Sequence, residues 1–194
     1  MTPALAKAVF LLLAVGWYVI RVPHMRRSRR TPIARASRGW RENVLLLISL
    51  TGLGIVPFIH IATGFPRVAE YPFRQFQGWI GTALAAAALV MFFLSHRALG
   101  RNWSISLEVR AAHRLVTEGV YRHVRHPMYA AFWLWAVAQA FLLPNWIAGL
   151  SGLLGFGALY CFRVSKEEQL MLETFGDAYR AYMARTARLV PWIY

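Results

Sequence analysis

The sequence predicts an all-α integral membrane protein with five transmembrane helices, the last two of which form a helical hairpin. The 194 residues are 58% hydrophobic and only 15% charged, whereas a soluble domain is about 45–50% apolar and about 25% charged. Five apolar stretches approach the roughly 20 residues that a helix needs to cross a bilayer. The basic residues concentrate in three of the segments that follow these stretches, which is the distribution that the positive-inside rule describes.

The predicted helices form one membrane domain, residues 1–194, with three N-terminal helices in 1–95 and a cofactor-binding and catalytic region in 96–194. The predicted spans are Leu5–Ile20, Val44–Ala62, Phe76–Ser95, Met128–Leu143 and Trp146–Phe162. The first leads into an arginine-rich run rather than a small-residue cleavage site, so we expect a retained helix and not a signal peptide. Pro144 and Asn145 separate the last two. Because proline ends a helix and one helix of about 35 residues would exceed the bilayer, a hairpin is favoured over a single kinked helix.

Lysine and arginine determine the predicted orientation. Of the 22 basic residues, 19 follow the first, third and fifth helices, and the other three are Lys7, Arg67 and Arg74. The three basic segments share one side of the membrane only if the chain crosses it five times. We therefore expect the C-terminus and the active site to face the cytosol, at the cell membrane or the endoplasmic reticulum depending on the source.

The formal net charge of +14 is compatible with a nucleic-acid partner or with an anionic membrane surface. The apolar stretches favour the membrane, so no nucleic-acid partner is expected. Cys161 lies in an apolar run and is interpreted as a packing residue. His123 and His126 are three residues apart, but Pro127 argues against a helix there and no acidic residue is nearby, so no metal site is expected. No feature of the sequence indicates an oligomeric state.

The first candidate functional segment covers residues 119–129 and reads Gly-Val-Tyr-Arg-His-Val-Arg-His-Pro-Met-Tyr. Gly119 permits a tight turn, and Pro127 suits the first turn of the fourth helix. His126 is thereby placed at a helix N-terminus, where anionic groups are favoured. Taken alone, the segment is equally compatible with an interfacial basic anchor.

The second segment reads Arg-Val-Ser-Lys-Glu-Glu over residues 163–168. Arg163 and Glu167 share one face if the fifth helix continues past the interface. The alternative is a surface ion pair of little consequence, but ionisable groups at membrane depth are functional candidates. Residues 175–182 then predict a short cytosolic helix, whose aromatic side chains either close a pocket or pack on the hairpin.

Five features follow one another in the C-terminal part of the chain: Gly-Val-Tyr, Arg-His-Pro-x-Tyr, an apolar hairpin, Arg-x-x-x-Glu-Glu and Phe-Gly-x-x-Tyr-x-x-Tyr. This order resembles the isoprenylcysteine carboxyl methyltransferase family and, more distantly, membrane phospholipid methyltransferases. The resemblance covers about residues 113–194. It implies S-adenosylmethionine as the cofactor and a lipidic methyl acceptor that enters from the bilayer. The implied cofactor contacts are His113, Leu115, Val116, Gly119, Tyr121, His126, Pro127, Tyr129, Glu167 and Glu168.

The resemblance also implies that Arg163 meets the substrate carboxylate while Glu167 faces the positive charge of the cofactor. Upstream, this chain has Ser106-Leu107-Glu108 where family members can carry a polar amide. The implied reaction is methyl transfer to the carboxylate of a lipidic substrate such as a prenylated C-terminal cysteine. A carboxylate is already ionised, so no general base is needed and catalysis consists mainly of in-line positioning.

Two alternatives stay open. The first is methyl transfer to a lipid amine, which is protonated at neutral pH and needs a base. His123, His126 and Glu167 are candidates for that base. The second is a non-enzymatic membrane scaffold or transporter subunit. The first three helices argue against it, because they contain almost no polar residues that could line a path.

Overall fold

The computed structural model describes residues 1–28, 33–36, 39–100, 108–110 and 114–191. Within these ranges the long elements are helices, joined by π-helical and 3₁₀ turns, and one pair of short strands. The helices are α1 (Pro3–Ser28), α2 (Trp40–Leu50), α3 (Val56–Thr63), α4 (Gln75–Leu99), α5 (Pro127–Leu142), α6 (Trp146–Phe175) and α7 (Asp177–Arg185). A π-helical turn, Thr51–Ile55, joins α2 to α3, and 3₁₀ turns cover Arg67–Ala69 and Gly119–Arg122. The strands are β1 (Ile33–Ala36) and β2 (Glu108–Arg110).

The helical membrane class predicted from the sequence is confirmed. In the described part of the chain, four helical stretches are long and apolar enough to cross a membrane. They are Pro3–Arg26, Trp40–Thr63, Gln75–Leu99 and Trp146–Phe175. The remaining apolar helix, α5, has 16 residues, which corresponds to about 24 Å at 1.5 Å per residue. The chain is thus a multi-pass membrane protein.

Two helices extend well beyond their predicted apolar spans. α1 continues to Ser28, although Pro23 lies inside it, and α6 continues to Phe175. In α6 the polar residues that follow the apolar stretch, such as Lys166, Glu167 and Glu168, are good helix formers. α6 ends where Gly176 adopts a positive φ of 54°, a conformation that glycine adopts without steric cost. Hydropathy therefore located the apolar part of each helix but not its end.

The two strands are an addition to the predicted architecture. They pair antiparallel, with Ile33 opposite Arg110 and Ala36 opposite Glu108. Neither strand is long enough to show a two-residue periodicity in the sequence. The pairing brings the segment after α1 and the segment after α4 to the same end of the molecule, which we call the basic end.

The hairpin of α5 and α6 forms the centre of the fold. α5 packs against α4 and α6, α1 packs against α4, and α2 packs against α6. The predicted tight turn between α5 and α6 is confirmed. Asn145 caps α6, since its Oδ1 accepts hydrogen bonds from the amides of Ile147 at 3.0 Å and Ala148 at 2.9 Å.

The π-helical turn coincides with close packing between α2 and α6. The amide of Val56 donates to Thr51, and Pro57, five residues after Gly52, has no N–H to donate. The Gly52 carbonyl instead accepts hydrogen bonds from Gln139 Nε2 at 3.0 Å and Ser151 Oγ at 2.8 Å. A Cβ at Gly52 would overlap the backbone oxygen of Ser151, so the approach of the two helices requires glycine here.

Candidate active site

A cavity of about 1010 Å³ lies between α1, α2, α5, α6 and α7. This volume is of the size that small-molecule sites occupy. At the basic end its wall is polar, with contributions from Arg21, Arg114, Arg125, His126, Tyr129, Arg163, Glu167, Tyr179 and Tyr182. Further along the helices it is apolar, with contributions from Leu11, Val15, Leu46, Leu50, Leu53, Phe58, Phe132 and Phe156. Arg21 lies ten residues beyond Leu11 on α1, which is about 15 Å along the helix.

Several side chains that line the apolar part of the cavity are largely exposed. α1 packs mainly against α4 and α2 mainly against α6, so both helices border the cavity from different sides. Val15 and Tyr18 of α1 and Leu50 of α2 line the cavity, although 58%, 60% and 56% of their surface is exposed. These side chains belong to the helical stretches Pro3–Arg26 and Trp40–Thr63, which are long and apolar enough to cross a membrane.

Most of the residues implied by the sequence resemblance meet at the polar end of this cavity. Leu115, Val116, Tyr121, His126, Tyr129 and Glu167 line it, as does Arg163. Gly119, Pro127 and Glu168 do not line it, although all three are described by the structure. His113 lies outside the described residues, as does the start of the Ser106-Leu107-Glu108 stretch.

Gly119 and Pro127 shape the backbone beside the cavity. Gly119 has a φ of +62°, in the left-handed region that favours glycine, which confirms the predicted tight turn. Pro127 is the first residue of α5 and His126 is its N-cap, as the sequence predicted. The His126 ring is 6% exposed and stacks on Tyr129 with centroids 5.3 Å apart.

Three polar side chains of α5 and α6 are in contact with one another in the cavity wall. Tyr129 donates a hydrogen bond to Glu167 Oε2, and Arg163 Nε lies 3.8 Å from the same oxygen. Arg163 and Glu167 are thus on one helix face, as their four-residue spacing predicted. Arg163 Nη1 also lies 3.6 Å from Glu42 Oε1 of α2, a contact that the sequence did not indicate.

Glu168 is the centre of a buried ion cluster behind the wall. Its side chain is 6% exposed and lies 3.2 Å from Arg125 Nε, 3.2 Å from His126 Nε2 and 2.6 Å from Arg188 Nη2. The hydrogen bonds to Glu168 raise the pKa of Arg188 above its ordinary value. Through these ion pairs the carboxylate holds the segment after α7 against the start of α5.

The segment after α7 packs against the start of α5, beside the residues that line the cavity. Val124 pairs with Ala187, and the amides of Arg125 and His126 donate to the carbonyls of Ala187 and Arg188 at 2.8 Å and 3.1 Å. On α7, the Tyr182 hydroxyl donates to the Tyr121 carbonyl at 2.6 Å. Burial raises the pKa of Tyr182 to about 12, so this hydroxyl remains a donor at neutral pH.

Sequence reasoning missed the partners that come from distant parts of the chain. Arg125 and Arg188 were seen only as members of basic segments, and Glu42 was not singled out. Arg125 and Glu168 are 43 residues apart, and Arg188 and Glu168 are 20 apart. The only usable signal was the scarcity of acidic residues, eight in the whole chain, which marks each of them as a candidate partner for arginine.

Comparison with known proteins supports the resemblance seen in the sequence. Residues 79–173 match the model of the isoprenylcysteine carboxyl methyltransferase family. The protein-S-isoprenylcysteine O-methyltransferase of Schizosaccharomyces pombe is 36% identical over 81 residues, 42% of this chain and 34% of that protein. The human protein of the same name is 33% identical over 92 residues, 47% of this chain and 32% of that protein. This chain thus spans about a third of the length of these two relatives.

Two further matches cover more of the chain. A protein of Oryza sativa subsp. indica, described as a probable protein-S-isoprenylcysteine O-methyltransferase, is 29% identical over 131 residues, 66% of this chain and 67% of that protein. The solved structure of the eukaryotic intramembrane Ras methyltransferase ICMT superposes with a TM-score of 0.57 at 24% identity, over 76% of this chain and 52% of that chain. This structural similarity concerns the fold.

Proposed function

Because this chain is related to the isoprenylcysteine carboxyl methyltransferase family, we propose that it is an S-adenosylmethionine-dependent methyltransferase acting on the carboxylate of a lipidic substrate, such as a prenylated C-terminal cysteine. The observation that carries the proposal is the two-part cavity. One end gathers His126, Tyr129, Arg163 and Glu167, and the other is apolar and includes exposed side chains of helical stretches that are long enough to cross a membrane. A water-soluble donor and a membrane-soluble acceptor thereby have separate approaches to one site.

The residues at the polar end fit S-adenosylmethionine. This cofactor combines an adenine ring, an amino-acid group and a positively charged sulfonium that carries the transferable methyl group. Aromatic and aliphatic side chains suited to the ring are present in Tyr121, Leu115 and Val116, and Glu167 supplies a carboxylate for the positive charge. His126 stands at the N-terminus of α5, where the free backbone donors favour a carboxylate.

Arg163 is the residue that we assign to the acceptor. Its guanidinium lines the cavity beside Glu167 and can hold a carboxylate through two parallel hydrogen bonds. No side chain has to remove a proton, because the acceptor is already an anion. The contribution of the chain is therefore to fix the acceptor in line with the donor and to exclude water, while the lipid tail occupies the apolar part of the cavity.

We further propose five membrane crossings, with α5 as the fourth, and a polar cavity end that faces the cytosol. α5 is short, but it is buried against α4 and α6, so its ends need not reach the lipid boundary unaided. The segments after α1, after α4 and after α6 all meet at the basic end, through the β1–β2 pair and the ion cluster of Glu168. In this arrangement residues 1–95 supply the lipid-facing wall and residues 96–194 the cofactor and catalytic groups.

The test begins with cofactor binding. Calorimetry with S-adenosylhomocysteine on detergent-purified protein is expected to show binding by the wild type and weaker binding by Glu167→Ala and Tyr129→Phe. Asp177→Asn is the control, because the Asp177–Arg180 ion pair has side chains 93% and 73% exposed. A wild-type protein that does not bind the analogue would refute the proposal.

The acceptor is identified by radiolabelled methyl transfer. A farnesyl-cysteine analogue is expected to yield a base-labile methyl ester, and phosphatidylethanolamine is expected to yield no labelled product. A base-stable product on phosphatidylethanolamine would instead assign the protein to lipid amine methylation.

A further inference from the structure

We propose that Glu42, in the first turn of α2, is a positioning residue that holds the Arg163 guanidinium in the orientation needed to bind the acceptor carboxylate. The inference rests on the proposed function and adds to it a residue outside residues 79–173, the region that matches the family model. Glu42 is only 8% exposed, although it lies near the beginning of a membrane helix in a strongly basic chain. Its Oε1 lies 3.6 Å from Arg163 Nη1.

Arg163 is held from two helices. Glu42 of α2 faces Nη1, and Glu167 of α6 faces Nε at 3.8 Å. An arginine side chain has several rotatable bonds, and two carboxylates on different nitrogens restrict the rotation of its planar group more than one can. Both distances exceed the 2.7–3.2 Å of a hydrogen bond, so these two ion pairs orient the guanidinium by charge.

Glu167 cannot perform this role alone, because it already has other partners. Its Oε2 accepts the hydrogen bond of Tyr129, and its Oε1 lies 4.0 Å from His126 Nδ1. Any cation that approaches Glu167 from the cavity competes with Arg163 for the same carboxylate. Glu42 does not line the cavity, so a cation that binds there does not compete directly for its carboxylate.

The position of Glu42 on α2 links the two ends of the acceptor. Leu46 and Leu53, four and eleven residues further along, lie on the same helix face and line the apolar part of the cavity. Leu50 lines the cavity beside them. The face of α2 that borders the lipid tail therefore ends, at the basic end, in the carboxylate that orients Arg163. This geometry assigns α2 to recognition of a lipid that carries an anionic group at a fixed distance from its tail.

The experiment measures the affinity of a farnesyl-cysteine analogue by calorimetry in the presence of S-adenosylhomocysteine. Glu42→Gln keeps the shape and removes the charge. We expect about a tenfold loss of acceptor affinity, and a KM for the acceptor that rises about as much while kcat changes by less than about threefold, as for an interaction that serves binding. The affinity for S-adenosylhomocysteine is expected to stay within about twofold of wild type.

A double-mutant cycle distinguishes positioning from a general structural role. If Glu42 acts through Arg163, Glu42→Gln in an Arg163→Gln background lowers acceptor affinity by less than about twofold. Asp177→Asn serves as the charge-removal control and is expected to bind both ligands as the wild type does. Glu42→Asp keeps the charge but withdraws it, and is expected to fall between Glu42→Gln and the wild type.

Three results would overturn the inference: equal loss of acceptor affinity in both backgrounds, loss of cofactor-analogue affinity in Glu42→Gln, or unchanged acceptor affinity in that variant. If Glu42→Gln does not fold, Glu42→Asp answers the same question, and wild-type acceptor affinity in that variant overturns it too. Failure of the proposed function is recognised separately, because the wild type itself would then not bind S-adenosylhomocysteine.

Discussion

Glu168→Gln removes the one negative charge of the buried cluster and leaves its cationic partners in place. Arg125 is 7% exposed at the side chain and lies 3.2 Å from the carboxylate, and breaking a buried pair on one side costs about 3–5 kcal/mol. Arg188 is 37% exposed, so solvent screens its ion pair with Glu168, and loss of this pair adds about 1 kcal/mol or less. Because Gln can still accept hydrogen bonds, we take the lower part of this range, about 3 kcal/mol.

This free energy is expected to appear as local opening rather than global unfolding. The cluster ties the segment after α7 to the start of α5, and about 3 kcal/mol raises the population of the detached segment by about two orders of magnitude. Hydrogen exchange followed by mass spectrometry is expected to show faster exchange in residues 177–191 and little change in α4. Binding of S-adenosylhomocysteine is expected to weaken, since Tyr179 and Tyr182 line the cavity.

The matched control is Glu173→Gln, on the same helix and exposed to solvent. Its exchange pattern and its affinity for the analogue are expected to equal those of the wild type. The reasoning is refuted if Glu168→Gln leaves exchange in residues 177–191 unchanged. It is also refuted if exchange accelerates equally in α4, because the cluster would then stabilise the whole fold and not this segment.

Three further predictions follow from the packing. Gly52→Ala is expected to destabilise the fold by about 1–3 kcal/mol through overpacking and so to lower the thermal unfolding temperature in detergent. Gly54→Ala, whose Cβ would have its nearest neighbour at 3.7 Å, is expected to leave that temperature unchanged. Equal effects would contradict the packing argument. Leu50→Trp is expected to weaken acceptor binding and to leave the affinity for S-adenosylhomocysteine unchanged. Leu12→Trp, at an exposed position that does not line the cavity, is expected to leave both affinities unchanged. Loss of cofactor-analogue binding in Leu50→Trp would contradict the proposal that donor and acceptor reach the site by separate routes. Burial raises the pKa of Tyr182 to about 12, above the value of about 10 in the unfolded chain. The protonated hydroxyl therefore stabilises the fold fully below the unfolded pKa, and this stabilisation is lost as the pH rises toward 12. Hydrogen exchange in residues 177–191 should accelerate over this range in the wild type and less so in Tyr182→Phe.

Hydropathy and charge predicted the helices well because both act over stretches of many residues. The hairpin turn at Pro144 and Asn145, the turn at Gly119 and the shared face of Arg163 and Glu167 were also predictable, because each depends on neighbours within four residues. These local rules require no knowledge of how the helices pack.

The remaining features depend on which segments meet in three dimensions. Nothing near Glu168 in the sequence shows that Arg125 and Arg188 converge on it, so its implied place as a cofactor contact could not be distinguished from a structural role. The contact between Glu42 and Arg163 joins α2 to α6 and was invisible for the same reason. The β1–β2 pair likewise depends on the approach of two segments that no short-range pattern links.

Under the proposed function, the exposed apolar side chains that α1 and α2 contribute to the cavity wall determine which acceptor concentration governs the reaction. An acceptor that enters the cavity past these side chains travels within the plane of the bilayer, so its encounter rate depends on the number of acceptor molecules per lipid and not per litre of buffer. Adding inert lipid at constant total acceptor should therefore slow the reaction, while adding buffer to the same vesicles should not. Kinetic constants for the acceptor are accordingly expressed as mole fractions of the membrane.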